Sequence, residues 1–552
     1  MLWGRSRNAA PNPVLRRDTV RQLTSVVLLV ALSALLTGCH DPVQPIDVRV
    51  PSAALTATDP MGEVHPLPDD LEEKVQRFRA DLETRGYEVA RGYFTLWSAE
   101  ECKYPLHTVG FCYGNNPTAP YVFAVVPQWK DEFVDQRLHH AVLAARRNMS
   151  ATYRLGEQEA LVVLAEMPPP ARYFSITTNV FSRETTLNPA DPIYAKVGNL
   201  PTLQEILFAT SPNPDRLMLL ASIGNSTNNV VMARASGSPW GQQRHFVITP
   251  DAGTANAMTG ALLRAGVPSA DHVFTEPVAP SLVRVGLERE ADDLFTYVRY
   301  ALAIDSAAGE AWRATLPLTI LRVRHRSDAG PTQPFPIPDL EERSANFPET
   351  ELKDDLDALR DAVRARWGQP SAGVASSISA YAFLDLVGQH CLGVGSPLPN
   401  RGPMNCLADN QDTDYQITLP PLHIDNGEVI AAIGTLATAT GNATYVSLGV
   451  NRFPALVGVA NLSDADLYGT AASFQSALQH DHRLFYVYYL ARDCTGLHPC
   501  LEISRTLFPV GETLKLMQRN YINPGSTVGP APALVLNPLA VILDGRSRPS
   551  SP

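Results

Sequence analysis

The second half of this 552-residue chain reads as a repeat of the first, and that reading constrains the fold more than any other feature of the sequence. Aligned on their cysteines, the two halves keep their spacings. Phe94 lies eight residues before Cys102, and Phe383 lies eight before Cys391. Cys112 is followed by Asn116 at +4 and Tyr121 at +9, and Cys406 by Asn410 and Tyr415 at the same offsets. Farther on, Tyr173, Ser175, Asn179 and Phe181 recur as Tyr445, Ser447, Asn451 and Phe453 at offsets 0, 2, 6 and 8. Three blocks in one order argue for duplication of a module. The interval from Tyr121 to Tyr173 exceeds that from Tyr415 to Tyr445 by 22 residues, which matches a helical insertion in the first copy around Trp129 to Met149.

Each copy opens with an amphipathic helix. Residues 69–86 place Leu71, Val75, Phe78 and Leu82 on one face and end at Gly86, while Glu349 to Trp367 do the same with Leu352, Leu356, Leu359 and Val363. The stretch from Glu159 to Glu166, the turn Pro168-Pro169-Pro170 and the stretch from Tyr173 to Phe181 read as strand, turn, strand, with Tyr173, Ser175 and Thr177 on one face. The second copy answers with Glu428 to Gly434, a turn at Gly441-Asn442, and Tyr445 to Leu448. A short helix is expected at Ala255 to Ala265. Short strands with such turns predict a mainly β fold with accessory helices, arranged as two tandem β-sandwich or jelly-roll-like modules. The expected boundaries are a signal peptide at 1–38, a flexible tether at 39–68, a first helix-plus-β module at 69–327, a linker at 328–348, a second module at 349–544 and a disordered tail at 545–552.

The amino terminus points to export. Arg5, Arg7, Arg16, Arg17 and Arg21 precede an uncharged apolar run from Val26 to Leu36, which leads into Leu36-Thr37-Gly38-Cys39. Small residues suit the signal peptidase, and the thiol of Cys39 accepts a diacylglycerol, so this is a lipobox and the lipid bilayer is an expected partner. The apolar run is too short to span a membrane. Thr19 and Val20 depart from the twin-arginine pattern, which favours the general secretory route. His40 stands where an inner-membrane retention Asp would be, so the cell envelope, and specifically the outer membrane, is the expected location. Beyond Cys39 there remain Cys102, Cys112, Cys391, Cys406, Cys494 and Cys500, an even set in an oxidising compartment. Sequential pairing is the simplest of the fifteen connectivities open to them. No Cys-x2-Cys is present to suggest a metal.

A formal charge of -11 leaves no basic footprint for nucleic acid. Phosphate loops, haem attachment motifs and HExxH helices are absent from the sequence, and no cofactor is expected. Neither Gly224-Asn225-Ser226-Thr227 nor Gly237-Ser238-Pro239-Trp240-Gly241 matches a nucleophile elbow. His480 and His482 could share a metal from one strand face, but no third ligand is marked. Asp409, Asp412 and Asp414 supply closely spaced oxygens of the kind that bind Ca²⁺, against which the turn glycine is missing and His423 stands where a bidentate Glu would fall. The duplicated Asn116, Tyr121, Asn410 and Tyr415, together with Asp412, form the candidate polar site, with buried hydrogen-bonded core residues as the plainer interpretation. The expected role is binding or assembly at the envelope, toward a glycan, lipid or envelope protein. The alternative is an extracytoplasmic hydrolase or isomerase acting on a small molecule or glycan.

Asn115-Asn116-Pro117-Thr118-Ala119-Pro120-Tyr121 and Asn410-Gln411-Asp412-Thr413-Asp414-Tyr415, each followed by an aromatic block at Tyr173 or Tyr445, resemble the Asn-Asp-Thr-x-Tyr and "RYYSF" blocks of a bacterial family of tandem jelly-roll domains of unknown function. Ala291-Asp292-Asp293-Leu294-Phe295 is similar to an acidic dipeptide that follows those blocks. The likeness covers short islands, and the chain departs from the family in its cysteines and in lacking the Asp of the first block. The resemblance implies the fold and no reaction.

Overall fold

A computed structural model describes residues 66–117, 119–136, 138–184, 216–327, 330–369, 374–379, 410–425 and 427–547. The lipobox, the tether to residue 65, Cys391, Cys406, Asp409 and the tail from 548 lie outside the described residues. Helix α1 (Asp69–Thr84) buries Leu71, Val75, Phe78 and Leu82, the stripe that its helical spacing predicts, and carries Asp69, Asp70 and Glu72 in its first turn, where the helix dipole favours them. Burying each such apolar side chain contributes about 1.5–3 kcal/mol. The chain then enters β1 (Tyr87–Arg91) and, past Gly92, β2 (Tyr93–Leu96).

The remaining strands of the first half are β3 (Tyr121–Pro127), β4 (Met149–Ser150), β5 (Glu159–Glu166), β6 (Ala171–Glu184), β7 (Arg216–Ser222), β8 (Thr227–Asn228), β9 (Gln243–Thr249), β10 (Val273–Pro277), β11 (Asp293–Ala303) and β12 (Leu318–His325). They form two sheets, ordered β1-β12-β5-β9-β10 and β2-β3-β11-β6-β7. Strand β5 is buried on both faces, which explains its nearly continuous apolar run. Leu161 and Val163 face the core between the sheets, with Phe94, Val122, Phe174, Ile176 and Val298. Ala160, Val162 and Leu164 face outward, under α1 and helix α2 (Ala252–Arg264).

The second half opens with a 3-10 turn (Glu349–Leu352) and helix α3 (Lys353–Arg366), followed by β13 (Val374–Ser379), β14 (Thr413–Leu419), β15 (Leu422–His423), β16 (Glu428–Thr435), β17 (Tyr445–Phe453), β18 (Val457–Ser463), β19 (Phe485–Ala491), β20 (Cys500–Glu502), β21 (Thr513–Tyr521) and β22 (Leu539–Asp544). Read outward from β13, one wing runs β22-β16-β19-β20 and the other β14-β21-β17-β18. The first half has the same two wings, β12-β5-β9-β10 from β1 and β3-β11-β6-β7 from β2. The orders that start from β1 and from β13 toward β22 end on a parallel pair, β9 with β10 and β19 with β20, while the other strand pairs among the described residues are antiparallel. The cores correspond as well: Leu356, Leu359 and Val363 of α3 cover Val429, Ala431 and Ile433, as α1 covers β5. The chain is thus mainly β with accessory helices, built as two tandem sandwich modules.

Two of the expected disulfides are formed. Cys102 joins Cys112, and Cys494 joins Cys500 across the turn between β19 and β20. The described residues of the expected insertion around Trp129 to Met149 are not helical but a run of turns and bends. Carbonyls that a helix would use are taken by side chains from outside the segment, Ala141 O by the Tyr113 hydroxyl at 2.6 Å and Val142 O by the Trp97 indole N–H at 3.0 Å. Residues 330–348 are bound to both modules. Phe335 N donates to Pro250 O at 3.0 Å, and Arg343 Nη2 to Asn410 O at 2.9 Å.

Candidate functional site

All the described residues belong to a single unit, and within it the polar residues that recur in the two copies meet where the modules pack. Strand alternation places them. On β6, Tyr173 and Ser175 point to one face, and β11 sets Arg299 directly opposite Ser175. On β17, Tyr445 and Ser447 do the same, with Arg519 of β21 opposite Ser447. The two faces look at each other. Tyr173, Ser175, Arg299, Asp412, Tyr445, Ser447, Arg519 and Tyr521 are all buried, none more than 2% exposed.

Asp412 is the hub of this junction. Arg299 Nη2 lies 2.6 Å from its Oδ1, and the Tyr173 hydroxyl donates to its Oδ2 at 2.9 Å. Arg299 Nε also donates to Ser175 Oγ at 3.2 Å. Asn410 accepts from the Tyr297 hydroxyl at 3.0 Å and donates to the Tyr415 hydroxyl at 3.4 Å. In the other direction Asn116 Nδ2 reaches Ser447 Oγ at 3.2 Å and Tyr521 OH at 3.4 Å. The rings of Tyr173 and Tyr445 flank that of Tyr521, with centroids 4.6 and 4.8 Å away. All five residues of the candidate polar site, Asn116, Tyr121, Asn410, Asp412 and Tyr415, therefore lie at one place, with Tyr121 packed on Tyr297 and both Tyr121 and Tyr415 keeping some exposed surface.

The Cys102 disulfide sets one side of the lock. It constrains residues 112–116, whose backbone docks on the turn between β17 and β18, with Cys112 N donating to Ala455 O and Gly114 N to Leu456 O, both at 2.7 Å. Asn115 Oδ1 accepts from Gly458 N at 2.7 Å, and a Cβ on Gly458 would come within 2.1 Å of Asn115 O, so only glycine admits this approach.

Electrostatics hold the junction in one protonation state. Burial works against the Arg299 cation, but Asp412 and the surrounding tyrosine oxygens outweigh it and keep the guanidinium charged. Burial pushes Tyr297 up to about 12 and Tyr173 well above the usual phenol range, so both stay neutral donors. Such an arrangement can hold two surfaces together. Its ion pair and serines present no open atom to a substrate.

The other candidates are dispersed. His480 Nδ1 pairs with Asp355 at 2.6 Å and His482 Nδ1 with Gln475 Oε1 at 2.9 Å, so the two imidazoles serve different partners. Asp412 gives its oxygens to Arg299 and Tyr173, and Asp414 accepts from Asn520 at 3.2 Å, so these two carboxylates do not converge on a shared point. Ser226 is buried and accepts from Thr177 at 3.0 Å, while Ser238 accepts from Trp240 N at 3.3 Å. The acidic dipeptide is a clamp: Asp292 pairs with Arg183 at 2.6 Å, and Asp293 with Arg216 and Arg154 at 3.0 and 3.2 Å.

Arg299, Arg519, Tyr297 and Tyr521 escape the sequence reading. Their signal is an arginine close to tyrosine within a strand, as in Tyr297-Val298-Arg299-Tyr300 and Arg519-Asn520-Tyr521. The repeat spacing hides it, because Ser175 lies 124 residues before Arg299 and Ser447 only 72 before Arg519.

No family model and no curated protein matches the chain. A solved structure of an uncharacterized protein from Burkholderia cenocepacia aligns over 86% of this chain and 88% of that one, at 10% identity and a TM-score of 0.33.

Proposed function

We propose that this protein is an exported lipoprotein, held in the outer membrane by an acylated Cys39, and that it acts by binding or assembly at the envelope. The lipobox supports the anchoring. The binding half rests on one observation: the recurring polar residues Asn116, Ser447, Tyr173 and Arg299 are spent on joining the modules, the last two through Asp412, which the second module alone carries. A rigid two-module body on a lipid tether is suited to present its outer surface to a glycan or envelope protein. Tyr468, Leu507 and Val510 are large apolar side chains on that surface, each about half exposed, and are where contact should be sought first.

Two experiments test this reading. Palmitate labelling with membrane fractionation should find the wild-type chain acylated and membrane-bound and Cys39→Ser unlabelled and released; equal fractionation of the two would remove the anchor. A thermal-melt screen of the whole chain against envelope glycans, lipids and small metabolites should yield a compound that raises Tm and is recovered unchanged. Recovery of a converted product would replace binding by catalysis.

A further inference from the structure

The chain enters the described fold at Pro66, with 26 residues between it and Cys39, and it enters at one end of the first module. Leu67 lines a cleft there with Tyr93, Leu316 and Leu318. Asp70, in the first turn of α1, accepts from Gln243 Nε2 at 2.6 Å, where β9 begins. Three connections gather round this point: residues 167–170 between β5 and β6, residues 237–242 ahead of β9, and residues 304–317 between β11 and β12, which include the helix Ser306–Thr315. They are tied to one another. Met167 N donates to Gln242 O at 2.9 Å, Gly241 N to Pro168 O at 3.0 Å and Ile304 N to Pro170 O at 2.8 Å.

The two ends of this module differ in charge. Residues 167–170 (Met-Pro-Pro-Pro) and 237–242 (Gly-Ser-Pro-Trp-Gly-Gln) contain no charged side chain. In the third connection Asp305 caps its helix, accepting from Ala308 N at 3.1 Å, and Glu310 pairs with Arg313. The opposite end, where β1, β5 and β11 begin, exposes Arg85, Glu157, Glu288, Arg289, Glu290 and Arg326. Ile304 projects from the uncharged end. It is 81% exposed, the highest value for a large apolar side chain among the described residues. Its loop is fixed and not free to fold the side chain back: besides the bond to Pro170, Leu302 holds a φ of 54°, a left-handed backbone that leucine disfavours and its surroundings must impose. Trp240, half-buried on the same end, adds an indole of the kind that sits at the level of lipid headgroups.

We propose that the lipid bilayer covers this end of the first module, with Ile304 inserted below the headgroups and Trp240 beside them. The inference rests on the acylated Cys39 proposed above. A tether of 26 residues reaches at most about 90 Å, which leaves orientation open, so the surface and not the tether decides which end turns to the lipid. Complementary charge gives a protein partner its register and specificity, and this end offers little of it, whereas shallow burial of apolar side chains at a bilayer needs none.

The test uses the whole acylated chain on vesicles of phosphatidylethanolamine and phosphatidylglycerol, spin-labelled through Ile304→Cys or, at the opposite end, through Glu290→Cys. Flotation reads the anchor. Collision of the label with oxygen and with a water-soluble nickel chelate reads its depth. Both chains should float; the label at position 304 should lose most of its nickel accessibility and gain oxygen accessibility relative to the chain in solution, and the label at position 290 should keep its solution values. Should a labelled variant fail to fold, hydrogen exchange of the unlabelled wild type gives a second readout, with slowing on vesicles confined to residues 237–242 and 302–308 and absent from 284–290. Floating chains whose label at position 304 stays as open to nickel as that at 290 would overturn the inference and leave the anchor standing. Chains that do not float would overturn the anchor, and this inference with it.

Discussion

Arg299 sits in a space enclosed by Tyr173, Ser175 and Asp412, and its charge is tolerable there only while the carboxylate remains. Removing one partner of a buried ion pair costs about 3–5 kcal/mol, whereas replacing both by apolar side chains is often close to neutral. Arg299→Met should therefore lower the urea-unfolding free energy by roughly that amount, and adding Asp412→Leu should recover most of the loss. Additive losses in the double variant would mean that the two side chains act independently. Glu276 provides a separate test through pH. It is buried against Thr178, whose N and Oγ1 donate to its two oxygens at 2.6 and 2.9 Å. Burial raises its pKa from 4.5 to about 7. Because the folded-state value is the higher one, the native state holds this proton more tightly; that stabilisation is complete below pH 4.5 and is lost as pH rises through about 7. At about 1.4 kcal/mol per pKa unit, Glu276→Gln should stabilise the protein by about 3 kcal/mol at pH 8 relative to its effect at pH 4. A stability difference independent of pH would contradict the assignment. Asn116, Tyr121, Asn410 and Tyr415 were legible in the sequence because they stand at the same distances after a cysteine in both halves. The arginines were not, since strand pairing brings them in from positions whose spacing differs between the copies.

At the scale of elements, pattern translated into structure where one face of a segment meets one neighbour. The stripe of α1 was readable for that reason, and Phe78→Ala in α1 should cost about 3–5 kcal/mol in thermal or urea unfolding. The insertion at Trp129 to Met149 was expected to be helical from its length alone, while two of its carbonyls are claimed by Trp97 and Tyr113, residues distant in sequence. The loop of residues 112–116 shows the same limit: its cysteine was evident, its docking on the other module was not. Opening the Cys102 disulfide by Cys102→Ser with Cys112→Ser releases a short closed loop, a loss of about 3 kcal/mol on the chain-entropy estimate. Since that loop grips the β17 and β18 turn, hydrogen exchange at the amides of Cys112, Gly114 and Gly458 should accelerate, with the β5 amides unchanged. Equal acceleration in β5 would show that the disulfide serves the first module's core and not the joint.

At the scale of the whole molecule, two sandwich modules of like strand order form a single body through the polar junction between them. Strand order repeats from copy to copy, yet the hydrogen bonds across the joint are not symmetric, since the carboxylate is present only in the second module's loop. If this joint couples the modules, calorimetry of the whole chain with and without Asp412→Ala will show it. The wild type should melt in one transition, with calorimetric and van't Hoff enthalpies in agreement, and Asp412→Ala in two resolved transitions as the modules melt separately. Two independent transitions in the wild type, left unchanged by Asp412→Ala, would contradict it.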